Sequence, residues 1–272
     1  MWTGPGEDDV NGADDIVCLE GGEVAFHGPA AAWERWSGRD RYRFPDPPAR
    51  ADARAMTTAR DGVAVAFRSV DFAWSDQPVF TSFDLEVGRG ECVGVAGGNG
   101  SGKSTLLYLA GGVVRPARGE VAVNLPARGR RQPVFLLPQS PERMFFAESV
   151  EEELTFGLRR LGAGADEGRR RAAVALDGVG LDAAAVMSRQ PFDLSYGEMR
   201  RVAFAVADAL EPALLLLDEP TACIDPDGVA LFYGLLDRYR VAGTTVMVAS
   251  HDRRALAACD RVVTIDAIGD GR

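Results

Sequence analysis

Residues 97–105 run Gly-Gly-Asn-Gly-Ser-Gly-Lys-Ser-Thr, and Lys103 is the only lysine in a chain whose 30 basic residues are otherwise all arginine. The stretch fits the spacing G-x-x-x-x-G-K-[ST], with Gly97, Gly102, Lys103 and Ser104 in the fixed places. Glycine lets backbone wrap closely, so the N–H groups along Asn99, Gly100, Ser101, Gly102 and on to Thr105 can converge on phosphate oxygens. A helix beginning at Lys103 adds its positive end to the same cradle. Ser104 offers a hydroxyl to Mg2+, and Lys103 places a compact ammonium between the β- and γ-phosphates of a nucleotide. Guanidinium is a broad planar fork, whereas the inside of such a loop suits a point charge on a flexible stem. That accounts for a lone lysine among arginines.

A second constellation stands at 213–221, Ala-Leu-Leu-Leu-Leu-Asp-Glu-Pro-Thr. It puts Asp218 at the C-terminal end of a buried strand with Glu219 next. A carboxylate there can hold Mg2+ while its neighbour addresses the attacking water. An acidic pair after an apolar run is weak evidence alone; coupled to a phosphate cradle it becomes strong.

These residues need a scaffold, and from residue 63 onward strands alternate with helices. The run 91–97 reads as strand and Gly-rich turn before the Lys103 helix. Residues 133–138 and 213–220 read as strands buried on both faces, and 244–252 and 260–266 add two more. Helical stretches lie at 149–161, 167–178, 195–210 and 226–240. The alternation implies an α/β domain with a mostly parallel sheet. Residues 39–62 lack an apolar period and carry three prolines, which suggests a linker. Before it, 13–33 reads as strand, Gly turn, strand and short helix, echoing 258–271.

Composition narrows the partners. A net charge of −10 argues against wrapping nucleic acid, which needs a surplus of basic residues on one face. The arginine runs at Arg128, Arg130, Arg131 and at Arg169, Arg170, Arg171 read as solvated loop or helix faces, with a partner contact as the other reading. Cys18, Cys92, Cys223 and Cys259 are too sparse for a disulfide framework and are not spaced as metal ligands, which fits a reducing, cytosolic setting. No apolar run approaches the ~20 residues that span a bilayer, and the acidic N-terminus is the reverse of a signal peptide. A membrane role therefore goes through a partner.

Taken in order, the motifs resemble the nucleotide-binding subunit of an ATP-binding-cassette (ABC) transporter across residues 63–266. The family signature LSGGQ stands here as Leu-Ser-Tyr-Gly-Glu at 194–198. The resemblance implies a P-loop NTPase of ABC ATPase type: a mostly parallel core sheet with an N-terminal antiparallel β subdomain and a helical signature subdomain. It also implies ATP and Mg2+ as ligands, and hydrolysis of the one with the help of the other.

By the same resemblance Gln139 senses Mg2+ and the attacking water, so that Ser104, Gln139 and Asp218 address the metal. His251 contacts the γ-phosphate beside Glu219, Asp225 belongs to the loop that crosses between subunits, and Trp74 takes the place of the aromatic that stacks on adenine. Tryptophan in place of the usual tyrosine keeps a large π-face. Ser195 and Gly197 act in trans, closing over the γ-phosphate held by a second ATPase subunit, identical or paralogous. Two departures, Tyr196 for a glycine of the signature and Cys223 where a small residue is common, touch no phosphate-contacting atom, so catalytic competence is expected.

The stretch 139–158 is similar to the same region of energy-coupling-factor importers of vitamins and cobalt, with Met144 where glutamine is typical. That implies an integral membrane transport subunit as partner and a place on the cytoplasmic face of the membrane. The alternatives are the ATPase of another ABC transporter or a soluble, non-transport ABC ATPase. The latter usually carries long insertions or paired cassettes; a catalytically silent subunit commonly lacks the glutamate or histidine present here. Residues 1–38 resemble the closing tail of an upstream cassette, leaving 39–62 as linker and 63–272 as the ATPase domain; His27 then has no catalytic role. An N-terminal hairpin belonging to this domain is the other reading of 1–38.

Overall fold

The computed structural model describes residues 14–20, 23–42, 44–48, 60–125, 134–222 and 224–266. Strands β1 (Asp15–Glu20) and β2 (Glu23–Pro29) pair antiparallel, and the one-turn helix α1 (Ala30–Trp33) follows. Phe26, Trp33, Trp36 and Tyr42 cluster with ring centroids 5.0–6.0 Å apart, giving this hairpin a small aromatic core of its own. Its sheet joins neither of the others. The stretch 39–62 has structure at both ends. Arg39–Tyr42 forms a 3-10 turn, Phe44 packs on the main core, and β3 (Arg60–Trp74) has begun before residue 63. Residues 49–59 between them lie outside the described residues.

Strands β3, β4 (Gln77–Arg89) and β6 (Arg118–Val123) form a three-stranded antiparallel sheet in the order β4-β3-β6. The second sheet is parallel throughout. It contains β5 (Cys92–Ala96), β7 (Val134–Leu137), β8 (Leu214–Asp218), β9 (Thr245–Ala249) and β10 (Arg261–Thr264), in the order β10-β5-β9-β8-β7. Helices α2 (Lys103–Ala110), α3 (Val150–Arg160), α4 (Ala165–Gly178), α5 (Ala183–Val186), α6 (Tyr196–Leu210), α7 (Pro226–Ala242) and α8 (Arg253–Ala257) are the remaining α-helices among the described residues.

The apolar runs are explained by what lies on each side of the parallel sheet. Side chains alternate across a strand, so a strand covered on both faces must be apolar at every position. In β8, Leu214 and Leu216 enter the core shared with α2 and the antiparallel sheet, beside Phe67, Leu106 and Met247. Leu215 and Leu217 enter the opposite core, made with α3, α4, α6 and α7, beside Leu154, Phe204 and Phe232. Strand β9 divides likewise, Met247 and Ala249 one way, Val246 and Val248 the other. Burying each leucine contributes about 2 kcal/mol, so a polar residue anywhere in β8 before Asp218 would break the layer it faces.

Candidate active site

Parallel strands deliver their C-terminal ends to one edge of the sheet, and the loops there gather what the sequence scatters. Leu137 lies opposite Leu217, Asp218 opposite Ala249, and Val95 opposite Ala249. The segments leaving these strands therefore bring the 97–105 loop, Gln139, the Asp218–Glu219 pair and His251 together. They line a cleft of about 670 Å3 whose wall is completed by Trp74, Gln77 and Val79.

The loop is built around Lys103. Its ammonium is buried and donates to the carbonyl oxygens of Gly97 at 2.9 Å and Gly98 at 3.0 Å, which aims the side chain back across the loop. Glycine is demanded at both ends. A Cβ on Gly97 would lie 2.4 Å from the Ile265 carbonyl, and one on Gly102, at φ +98°, would lie 2.5 Å from Val79. Gly102 opens α2 without a side-chain cap, and no acidic residue stands in that first turn. Ser101 Oγ is buried with no hydrogen-bond partner among the described residues. An uncapped helix N-terminus with a buried ammonium and an orphaned hydroxyl suits a polyphosphate.

The acidic pair is divided by environment. Asp218 is buried, and its carboxyl is raised from its ordinary value chiefly by that burial; the Ser104 hydroxyl that hydrogen-bonds it opposes the rise, the Glu219 charge adds to it, and Lys103 and Arg200 again oppose it. A desolvated carboxylate beside a serine hydroxyl is the arrangement that a divalent cation relieves, so Asp218 and Ser104 fit Mg2+. Glu219 takes a positive φ of 46°, a strained setting for a residue with a side chain. Its Oε2 accepts from Ser250 Oγ at 3.0 Å and from the His251 backbone N–H at 3.3 Å, and His251 Nδ1 lies 2.9 Å away. The carboxylate is buried while the imidazole is 62% exposed, so the pair spans from floor to mouth.

Trp74 stands half-exposed at the mouth, edge-on to Phe72, and its indole N–H donates to Thr105 Oγ1 at 3.0 Å. The proposed base platform is thus tied to the end of the phosphate loop. Asn99, Gly100 and Gln139 also line the cleft.

Four expected residues are not in the cleft wall: Gly97, which sits behind it at the root of the loop with its carbonyl on Lys103, and Ser195, Gly197 and Asp225. Ser195 caps α6, accepting from the Glu198 N–H at 3.3 Å, while Glu198 Oε2 accepts from the Ser195 N–H and hydroxyl, each at 2.8 Å. Those bonds, the backbone one foremost, hold the Glu198 carboxyl below its ordinary value. Gly197 is exposed with nothing near its Cα that a Cβ would meet. Asp225 caps α7 through the Gly228 N–H at 2.7 Å, with Arg201 3.8 Å off. Cys223 lies outside the described residues.

Sequence reasoning passed over Glu198, Ser250 and Arg200. The first had a legible signal: Ser-x-x-Glu at a helix start is a capping box. Ser250 and Arg200 had none, because their roles depend on distant partners.

The family model described as ABC transporter matches residues 80–222. An energy-coupling factor transporter ATP-binding protein, EcfA2 of Symbiobacterium thermophilum, is 40% identical over 203 residues, covering 71% of this chain and 69% of that one. Among solved structures, CbiO1 from Clostridium perfringens, part of the ABC transporter complex CbiONQ, superposes with a TM-score of 0.63 at 28% identity, over 77% of this chain and 88% of that one. A dimeric bacterial ABC transporter cassette superposes with a TM-score of 0.66 at 25% identity, over 74% of this chain and 94% of that one. The chain belongs to the ABC transporter family, as an ATP-binding subunit that hydrolyses ATP with Mg2+. Among its described residues no helix is long and apolar enough to cross a membrane.

Proposed function

We propose that this chain powers an energy-coupling-factor type importer of a vitamin or transition-metal ion, working at the cytoplasmic face of the membrane. The observation that carries the catalytic half is the Glu219 carboxylate, buried at the cleft floor and held by Ser250 and His251. Glu219 takes the proton of the attacking water as general base, because it is the buried carboxylate beside the phosphate loop that Ser104 does not engage. His251 orients that carboxylate and reaches the γ-phosphate from the mouth. Lys103 leaves its carbonyl partners for the β- and γ-phosphate oxygens and stabilises the charge that builds there. Trp74 stacks on the adenine, and the N–H groups of Asn99, Gly100, Ser101, Gly102 and Thr105 hold the phosphates. Ser104, Asp218 and Gln139 would hold Mg2+, which when bound neutralises the phosphoryl oxygens.

Ser195, Gly197 and Asp225 stand away from the cleft because they serve a second ATPase subunit's nucleotide. Exposure of Gly197 supports this, as a surface meant for a partner's phosphate must be open. The importer class is supported by the 40% identity with EcfA2 and by the likeness to CbiO1. Phe146 and Phe156, in edge-to-face contact at 4.8 Å and both exposed beyond Gln139, stand in the region that docks the membrane subunit. The separate aromatic core of the β1–β2 hairpin supports reading 1–38 as the equivalent of another cassette's closing segment.

The test pairs the chain with candidate membrane subunits and measures turnover and substrate uptake. Glu219→Gln keeps the shape and is expected to lower ATP turnover by about 10^2-fold or more while ATP still binds. Undiminished turnover removes Glu219 from its role. Partners of another transporter class that alone restore coupled turnover would sink the importer assignment.

A further inference from the structure

Arg200 on α6 is the largest fully buried side chain among the described residues. Taking a guanidinium out of water costs several kcal/mol unless its donors and charge are matched; here the charge has the Asp218 carboxylate within its field, but the donors are matched poorly. Nε and Nη1 have no partner among the described residues. Among the described residues its bonds run through Nη2: to the Gln139 carbonyl at 2.7 Å, the Tyr196 hydroxyl at 3.2 Å and the Ala222 carbonyl at 3.3 Å. The Tyr196 ring lies against the guanidinium, 5.7 Å from centroid to Cζ, and its hydroxyl also reaches the Gln139 carbonyl at 3.4 Å. A packed apolar side chain would serve stability as well or better. What the arginine does, and a hydrocarbon cannot, is join three segments at one nitrogen: the loop after β7, the turn beyond Glu219, and the head of α6.

We infer that Arg200 is a positioning residue for hydrolysis, its Nη2 bond to the Gln139 carbonyl holding the loop from which the Gln139 side chain faces the cleft. The inference rests on the reading of Gln139 as the group that addresses Mg2+ and the attacking water. Arg200 occupies the backbone acceptor of residue 139 and leaves the side-chain amide to the cleft. Gln139 is itself exposed, so little else fixes it. Tyr196, standing where the family pattern has glycine, supports the guanidinium and adds a second, longer bond to the same carbonyl.

The test is steady-state ATPase activity of the full chain against Mg2+ concentration at saturating ATP, for the unaltered protein, Arg200→Met, Gln139→Ala and the double variant. Arg200→Met is expected to unfold at the same temperature as the unaltered protein or higher, because it replaces a poorly partnered buried charge. It should raise the Mg2+ needed for half-maximal rate about tenfold, the scale of one charge-assisted hydrogen bond. Gln139→Ala should do likewise, and the double variant should be no worse than Gln139→Ala, since both act through one group. Gln139→Ala without effect overturns the reading of Gln139 and this inference with it. A harmful Gln139→Ala whose effect multiplies with that of Arg200→Met overturns the inference alone. Should Arg200→Met fail to fold, Arg200→Lys keeps the charge but ends one atom short of the Nη2 position and loses the planar face that Tyr196 supports. It should shift the Mg2+ dependence by a few-fold, and no shift overturns the inference.

Discussion

Two helix N-termini carry the polar chemistry of this chain, and they are finished in opposite ways. Helix α2 opens at Gly102 with no side-chain cap and no acid in its first turn, and Lys103 stands at its head. Helix α6 opens at Ser195 with a full capping box: the Ser195 hydroxyl oxygen accepts from the Glu198 N–H, and the Glu198 carboxylate accepts from the Ser195 N–H. A helix start leaves about four N–H groups unsatisfied and positive. At α2 that deficit is left for a ligand; at α6 the capping box answers the Ser195 and Glu198 N–H groups from within. The first end is therefore ready for phosphate in a lone subunit. The second frees its Ser195 hydroxyl for a ligand only when something displaces or shares the Glu198 contacts. The contrast suits a protein whose loop binds its own nucleotide first and whose signature engages a partner's nucleotide later.

Lys103→Arg attacks the open end and should have the largest effect. The guanidinium cannot occupy the same pair of carbonyl contacts, and turnover is expected to fall by about 10^2-fold or more with the unfolding temperature little changed. Near-normal hydrolysis in that variant would mean the loop does not grip phosphate through a point charge.

Asp218→Asn sharpens the comparison from the floor of the same cleft. The folded-state pKa of Asp218 is raised, chiefly by burial. The fold thus favours the neutral carboxyl, and the ionised form costs stability once pH exceeds the ordinary carboxylate value. Without nucleotide or Mg2+, the asparagine variant should unfold about 2 °C higher at pH 7. The gap should close as pH falls through the ordinary carboxylate range, where both chains are neutral at this position. Turnover should be lost throughout. A variant less stable than the unaltered protein at pH 7 would show that Asp218 is held for structure.

How much of this could be seen beforehand follows from the range of the forces involved. The parallel strands were legible because β8 and β9 are buried on both faces and apolar at almost every position, a local signature of a global layer. Their ends came within one to three residues, and those of α3 and α6 within one. The Lys103 loop was legible because glycine spacing reports backbone geometry directly. Strand order was not, since nothing in 134–137 announces that its neighbour is 214–217. The same blindness hid Ser250, which reaches Glu219 across 31 positions of sequence, and Arg200, which reaches Gln139 across 61. The tie between Trp74 and Thr105 was hidden likewise: both residues were singled out, and only folding shows that one holds the other.

The smallest expected effect falls on the closed end. Glu198→Gln keeps a side chain that can accept from the Ser195 N–H but removes the charge. The lowered pKa of Glu198 means that its carboxylate contributes stability above the ordinary carboxylate range, which is lost as pH falls through the depressed value. The variant should therefore be less stable at pH 7, by no more than about 1 kcal/mol because solvent reaches the cap, and equal to the unaltered protein in acid. On the function proposed above, removing that charge also takes an anion away from where a partner's γ-phosphate would settle. ATP-driven pairing of two subunits, followed by light scattering, should accordingly need less nucleotide in Glu198→Gln. If pairing instead weakens, the carboxylate assists the signature by ordering Ser195, and α6 is preorganised in the way that α2 is.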